Sequence, residues 1–274
     1  MAEEVTLNAG QQTALSILQG TSAQTERTTE RLSTGRRVNS AIDDAQAFLL
    51  SRNLDTRAAE LQASRDDIGQ AASSIGAAQN GLEAISNLTG QLEGIATAAR
   101  GGTAQERAAA AAQFDEIRNQ IDNIARDASF NGTNLIAPTP SNVNVSFDEN
   151  SDSDLTISGS ASDTAALGIS DATGTNNNFA TDADIENALA EVRQASDSIR
   201  STSASFGADA AILNTRDEFA ADQVNISRDA SDRLVNADLN EEAARQVSLQ
   251  TRNGLATAGL NIANQSERAV LDLF

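Results

Sequence analysis

Between Leu54 and Ile95 the chain reads LDTRAAELQASRDDIGQAASSIGAAQNGLEAISNLTGQLEGI. Leu54, Leu61, Ile68, Ile75 and Leu82 fall seven residues apart, and their companion positions hold Arg57, Ser64, Ala71, Ala78 and Ile85. A seam in which Leu or Ile alternates with small side chains lets two helix backbones approach closely, as a tight bundle requires. The pattern continues through Leu88, Leu92 and Ile95 until Arg100-Gly101-Gly102-Thr103 supplies a cationic last turn and the glycines that end a helix. A second helix carries Phe114, Ile117, Ile121, Ile124 and Ala128 at steps of 3, 4, 3 and 4. The short connection over 101–105 makes it fold back antiparallel on the first.

Residues 1–136 read almost wholly as helix, with no Pro before Pro138. At Phe130-Asn131-Gly132-Thr133 the character changes, because Asn-Gly is a strong turn dipeptide. Val143, Val145 and Phe147 then alternate with polar residues, as do Leu155 and Ile157, which predicts a hairpin with one half-buried face. Residues 160–181 are rich in Ser, Asp, Thr, Gly and Asn and read as a surface loop. Helix resumes at Asp182 with an acidic first turn. Ile185, Leu189, Val192, Ser196, Ile199, Ser203 and Phe206 form one seam; Ile212, Phe219 and Ile226 form the next, offset by about one residue, a stutter.

Both ends carry seams of their own. Ala14, Leu18, Thr21, Thr25, Thr28 and Leu32 step by 4, 3, 4, 3 and 4. Leu255, Gly259, Ile262, Ser266, Ala269 and Leu273 do the same, and the apolar pattern runs on to Phe274. Two such tails suggest each other as partners, and neighbouring copies after that. Rich in Thr, Ser and Gly, they bury little apolar area at about 25 cal/mol per Å², so they are expected to be largely disordered in the free monomer and to fold on assembly.

Composition removes most chemistry. Among 274 residues there is no Cys, His, Trp, Tyr or Lys; all 19 cations are Arg, against 39 carboxylates, and the net charge is −20. That balance repels nucleic acid and anionic membrane surfaces. Without His or Cys the usual general base, thiolate nucleophile and commonest zinc ligands are missing, so neither enzyme activity nor a cofactor is expected. No window approaches a membrane span, and Met1-Ala2-Glu3-Glu4-Val5 has no Sec-type signal character, which on the residues alone reads as cytoplasmic. Asp148-Glu149-Asn150-Ser151-Asp152-Ser153-Asp154 imitates the start of a calcium loop, but an EF-hand needs Gly where Ser153 stands and Glu where Gly159 stands, so it reads as a solvated hairpin tip. Asp43 and Asp44 are adjacent on a helical path and point about 100° apart, which favours a structural role over acid–base chemistry.

Taken in order, several motifs resemble the bacterial flagellins. Leu32-Ser33-Thr34-Gly35-Arg36-Arg37-Val38-Asn39-Ser40-Ala41-Ile42-Asp43-Asp44-Ala45 resembles the family's N-terminal signature, and Phe130-Asn131-Gly132 its closing turn. Phe206-Gly207-Ala208, Arg233-Leu234-Val235-Asn236-Ala237-Asp238 and the apolar C-terminus follow. The resemblance implies a mainly α fold: a long antiparallel helical bundle and coiled coil formed by the N- and C-terminal segments, with a small β-hairpin insert. It implies a filament core from 1–40 and 240–274, a surrounding bundle from 41–137 and 183–239, and a short variable surface insert at 138–182. It implies a secreted, extracellular subunit of an open helical homopolymer used for swimming. Its partners would be itself, the flagellar export apparatus, an export chaperone, the filament cap and the hook-junction proteins. In place of the closely spaced Arg residues that innate flagellin receptors read in enteric members, Arg65 and Arg100 enclose a stretch without Arg, which implies weak recognition or none. The nearest rival is a hook–filament junction protein; a different class is the helical signalling domain of a chemoreceptor, which would want a hairpin tip where this chain has a Pro- and Asn-rich insert.

Overall fold

The computed structural model describes residues 9–147 and 153–271. Among the described residues there are five long helices: α1 (Ala9–Thr34), α2 (Ala45–Ala99), α3 (Ala104–Asp127), α4 (Asp182–Val235) and α5 (Leu239–Leu271). Two short strands, β1 (Val143–Ser146) and β2 (Asp154–Ile157), lie between α3 and α4. By contact the chain divides into two compact units, Met1–Thr56 with Ile226–Phe274, and Arg57–Asn225.

In the second unit the turn after α2 is closed by a reciprocal cap. Thr103 Oγ1 accepts from the Glu106 backbone N–H, and the Glu106 carboxylate accepts from the Thr103 N–H at 2.7 Å. Together they satisfy donors that the start of α3 would otherwise leave open. α4 then runs antiparallel to α2: Arg100 pairs with Glu186, Glu93 with Arg193 and Arg65 with Asp217, so one partner moves back as the other moves forward. Between α2, α3 and α4 lies an apolar core containing Ile68, Ile75, Leu82, Ile85, Leu92, Phe114, Ile121, Val192, Ile199 and Phe206. Leu54 and Leu61 on α2 are half-buried; Ile117 and Ile124 pack on the core from its margin.

The Asn-Gly turn has the backbone its residues favour. Asn131 and Gly132 both take positive φ, 48° and 82°, while Phe130 and Thr133 exchange two backbone hydrogen bonds of 2.9 Å. The buried Asn134 then donates to the Ala125 and Arg126 carbonyls and accepts from the Ile136 and Ala137 N–H groups, tying the end of α3 to the insert. β1 and β2 pair antiparallel with Val143 opposite Ile157 and Val145 opposite Leu155, and Val145 and Ile157 are buried.

The structure departs from the sequence pattern at the 160–181 segment and along α4. Residues 160–181 are not a surface loop: Leu167, Ile169, Ala172 and Phe179 belong to the core, and the Phe179 ring meets Phe114 edge-on at 5.6 Å. Polar side chains of α3 hold the backbone in place. Asp115 accepts from the Ala172 and Thr173 N–H groups, Asp122 accepts from the Thr164 N–H, and Arg118 donates to the Ile169 carbonyl. With its backbone satisfied by α3, a polar segment needs only a few apolar anchors to be buried.

α4 too buries a different face from the one its periodicity indicates. Phe219 and Ile226 were expected in the bundle core, yet they are 56% and 59% exposed, and Ile212 is exposed as well. The buried line is Ile185, Val192, Ile199, Phe206, Leu213, Ala220 and Ser227, an unbroken heptad without a stutter. Its last two members, Ala220 and Ser227, are small, so the large apolar residues one position earlier, Phe219 and Ile226, carry the misleading signal.

Candidate assembly interface

The first unit holds the two terminal helices and the turns at Leu32–Ala45 and Arg233–Asp238, two of the flagellin-like motifs. α1 ends where Gly35, at φ 69°, lets its N–H reach back to the Arg31 carbonyl at 2.9 Å. The chain then crosses to the C-terminal half: Arg36 bridges Asn236, the Arg37 and Val38 N–H groups both donate to the Val235 carbonyl, and the Ala237 N–H donates to the Gly35 carbonyl. Val38, Ala47 and Val235 close a small core beside Phe48 and Leu234.

Asp43 has the structural role expected of it. One of its oxygens accepts from the Asn39 N–H, the Ser40 N–H and the Ser40 hydroxyl at 2.9–3.1 Å, and these bonds, that from Ser40 foremost, hold its carboxyl below the usual range. Asp44 caps α2 by accepting from the Ala47 N–H at 3.0 Å. Ser33 donates back to the Glu30 carbonyl and Asn39 to the Glu30 carboxylate. Ala41 and Ile42 stand at the exposed apex of this turn, with Ile42 95% exposed. On the C-terminal side Asp238 caps α5 through the Asn240 and Glu241 N–H groups, while Arg233 points into solvent. Phe130 flanks its turn half-exposed.

α1 and α5 pack antiparallel. Gln11 donates to Asn264 at 3.0 Å, Gln246 to Thr29 at 3.3 Å and Arg31 to Glu242 at 3.0 Å. The inward face of α1 is the predicted one: Thr21 and Thr28 are buried, and Ala14, Leu18, Thr25 and Leu32 half-buried. The inward face of α5 is not. Leu255 and Ile262 are 68% and 64% exposed, and the side chains least exposed are instead Glu242, Gln246, Leu249, Asn253, Ala256, Leu260 and Ala263. α5 carries two heptad phases; polar Glu242, Gln246 and Asn253 disguise the one that meets α1. The side chain of Ala269, together with Leu273 and Phe274, lies outside the described residues, as do residues 148–152 of the calcium-like stretch.

The result is a helix pair with apolar side chains left on its outside: Leu15 and Ile17 on α1, Val247, Leu255 and Ile262 on α5. Val247, Leu255 and Ile262, spaced eight and seven residues apart, lie along one side of α5, as a surface for another helix requires. The signal for Glu242, missed in the sequence, was present only as a carboxylate at a seam position; periodicity of apolar residues alone passes over it.

The comparisons agree along the whole chain. Residues 5–140 match the N-terminal helical region of bacterial flagellins. Flagellin FljK of Caulobacter vibrioides is 30% identical over 98% of both chains. Flagellin C of Rhizobium meliloti is 24% identical, covering 97% of this chain and 98% of its own, and the flagellin of Brucella melitensis is 25% identical over 97% of both. Paired terminal helices, the Gly35–Asp44 turn and an end-to-end match at this identity together place the chain in the bacterial flagellin family.

Proposed function

We propose that this protein is the structural subunit of a helical flagellar filament that drives swimming. The observation that carries the reading is the apolar side chains that α1 and α5 leave outside their own pairing, in a chain that matches flagellins from end to end. Head-to-tail contacts between identical copies that do not close on a point group give an open helix. No group in the interface does chemistry; its work is contact area. Flagellins are structural proteins, and end-to-end matches to them do not favour the junction-protein or chemoreceptor readings.

In this reading residues 1–40 and 240–274 form the filament core, 41–137 and 183–239 the layer around it, and 138–182 the outermost part. The chain leaves the cell unfolded through the export apparatus with a chaperone's help and assembles beneath a cap on the hook-junction proteins. The formal charge of −20 keeps monomers apart and soluble before assembly. Electron microscopy of the purified protein with and without 1–40 and 240–274 tests the core assignment: the intact chain should give filaments and the truncated chain none. Filaments from the truncated chain would sink it.

A further inference from the structure

Glu242 lies in the first turn of α5 and is only 5% exposed. One carboxylate oxygen accepts from Arg31 of α1 at 3.0 Å and from Arg245, one turn on, at 3.3 Å; the other has no hydrogen-bond partner among the described residues. Gln246, next along the seam, repeats the arrangement, donating to Thr29 while its own buried oxygen accepts nothing among them. A buried carboxylate with an unmatched oxygen is a poor source of stability, since an apolar pair of similar volume commonly does as well or better. What a polar group inside a helix pair does supply is alignment, because it tolerates one partner and few others.

The apolar and threonine members of this seam supply little alignment of their own; that falls to its polar contacts and to the backbone bonds that join the Gly35 turn to Val235 and Ala237. Thr21 and Thr25 donate their hydroxyls to the Ile17 and Thr21 carbonyls of their own helix at 2.8 Å, which leaves their methyl groups to face α5. Ala14, Leu18 and Thr28 are their neighbours on α1; Leu249, Ala256, Leu260 and Ala263 answer from α5. Both faces repeat every seven residues, and Ala, Thr and Leu recur along them, so for these side chains a slip of one heptad, about 10 Å, sets similar groups against each other again.

We propose that Glu242, acting through Arg31, is the positioning residue that fixes the register of α1 against α5. It thereby fixes which outward apolar side chains stand level on the surface offered to the next copy; this last step rests on the filament reading above. Gln11 and Asn264 hold the same alignment at the other end.

The chain has no Cys, so introduced pairs report register without background. T29C/Q246C reads the observed register and T29C/N253C a slip of one heptad. Each is added to purified sheared filament seeds with a tenfold excess of unmodified subunits and oxidised, and the disulfide yield is read in pellet and supernatant. In the otherwise unchanged chain the slipped pair should cross-link at least tenfold less than the observed pair. Adding R31L/E242L should raise the slipped product at least fivefold. Exclusion of that variant from seeds that still accept T28V, a change on the same seam, also supports the proposal. An unchanged ratio of the two products in R31L/E242L overturns it. Failure of the unmodified subunits to pellet with seeds would instead overturn the filament reading and, with it, the part proposed for this register in assembly.

Discussion

Gly81 shows how a single contact reverses a general preference. It lies inside α2, where Ala is normally the better residue by about 1 kcal/mol. A Cβ there, however, would stand 2.7 Å from both the Ala128 Cβ and the Ile136 Cδ1. Gly69, Gly76 and Gly90 on the same helix have nothing within 4 Å of that position. Gly76→Ala and Gly90→Ala are therefore expected to stabilise the monomer by about 0.4–1 kcal/mol, whereas Gly81→Ala should cost about 1–3 kcal/mol through overpacking. Urea denaturation of the three variants checks the sign at each site. Asp43 and Glu106 make a second residue-scale case. Both carboxyls sit below their usual range because backbone N–H groups, of Ser40 and Thr103 respectively, bond the charged form. A lowered folded value contributes stability that is complete above the ordinary carboxylate value of about pH 4 and is lost as pH falls through the lowered one. Asp43→Asn should thus weaken the protein at neutral pH and flatten the acid side of its stability curve. Equal acid slopes for variant and parent would show that the Asn39–Asp43 turn contributes none of it.

At the scale of elements, α4 and the 160–181 segment separate packing from pattern. Leu213 lies on the buried heptad and Phe219 does not. Leu213→Ala should cost about 2–5 kcal/mol of monomer stability, while Phe219→Ala, despite removing the larger side chain, should stay within about 0.5 kcal/mol. The reverse ranking in a denaturant series would restore the seam through Phe219 and Ile226. Phe179 is the largest apolar anchor of a segment otherwise held by hydrogen bonds from α3. Its replacement by Ala should cost about 3–5 kcal/mol and open residues 160–181 to protease well before the helices unfold, which limited proteolysis with mass spectrometry reads directly. The helices, the hairpin and the Asn-Gly turn were legible because each is declared by neighbours in the chain. The burial of 160–181 was not, since it depends on Asp115, Arg118 and Asp122 supplying partners from 42 or more residues away.

For the whole molecule the decisive quantity is contact between copies. Leu255→Asp and Ile262→Asp place charge on side chains that are already exposed in the single chain, so the thermal melt of the monomer should barely move. Filament formation should be abolished, because a charge buried without a partner in an interface is strongly unfavourable. Sedimentation of the polymer beside calorimetry of the monomer separates the two effects. The stretch between Arg65 and Arg100 carries no Arg, and a receptor-reporter assay on the monomer should accordingly give weak signalling or none. Potency equal to that of an enteric flagellin would end that reading.

Periodicity and local motifs by themselves determined that this is a helical chain with a hairpin insert, that its ends carry seams, and that Leu32–Ala45 and Arg233–Asp238 are flagellin-like. Those properties are written in spacings of three, four and seven residues and in turn chemistry, both of which act between near neighbours. Only the tertiary structure decided which of two equally periodic phases faces inward on α4 and α5. On α4 a heptad of Phe and Ile looks stronger than one that ends in Ala and Ser, yet Ala220 and Ser227 are buried while Phe219 and Ile226 are turned outward. On α5 that choice puts Glu242 inside and Leu255 outside: burial of a carboxylate is tolerable only where Arg31 and Arg245 reach it, and no pattern in α5 alone records where α1 will place its arginine.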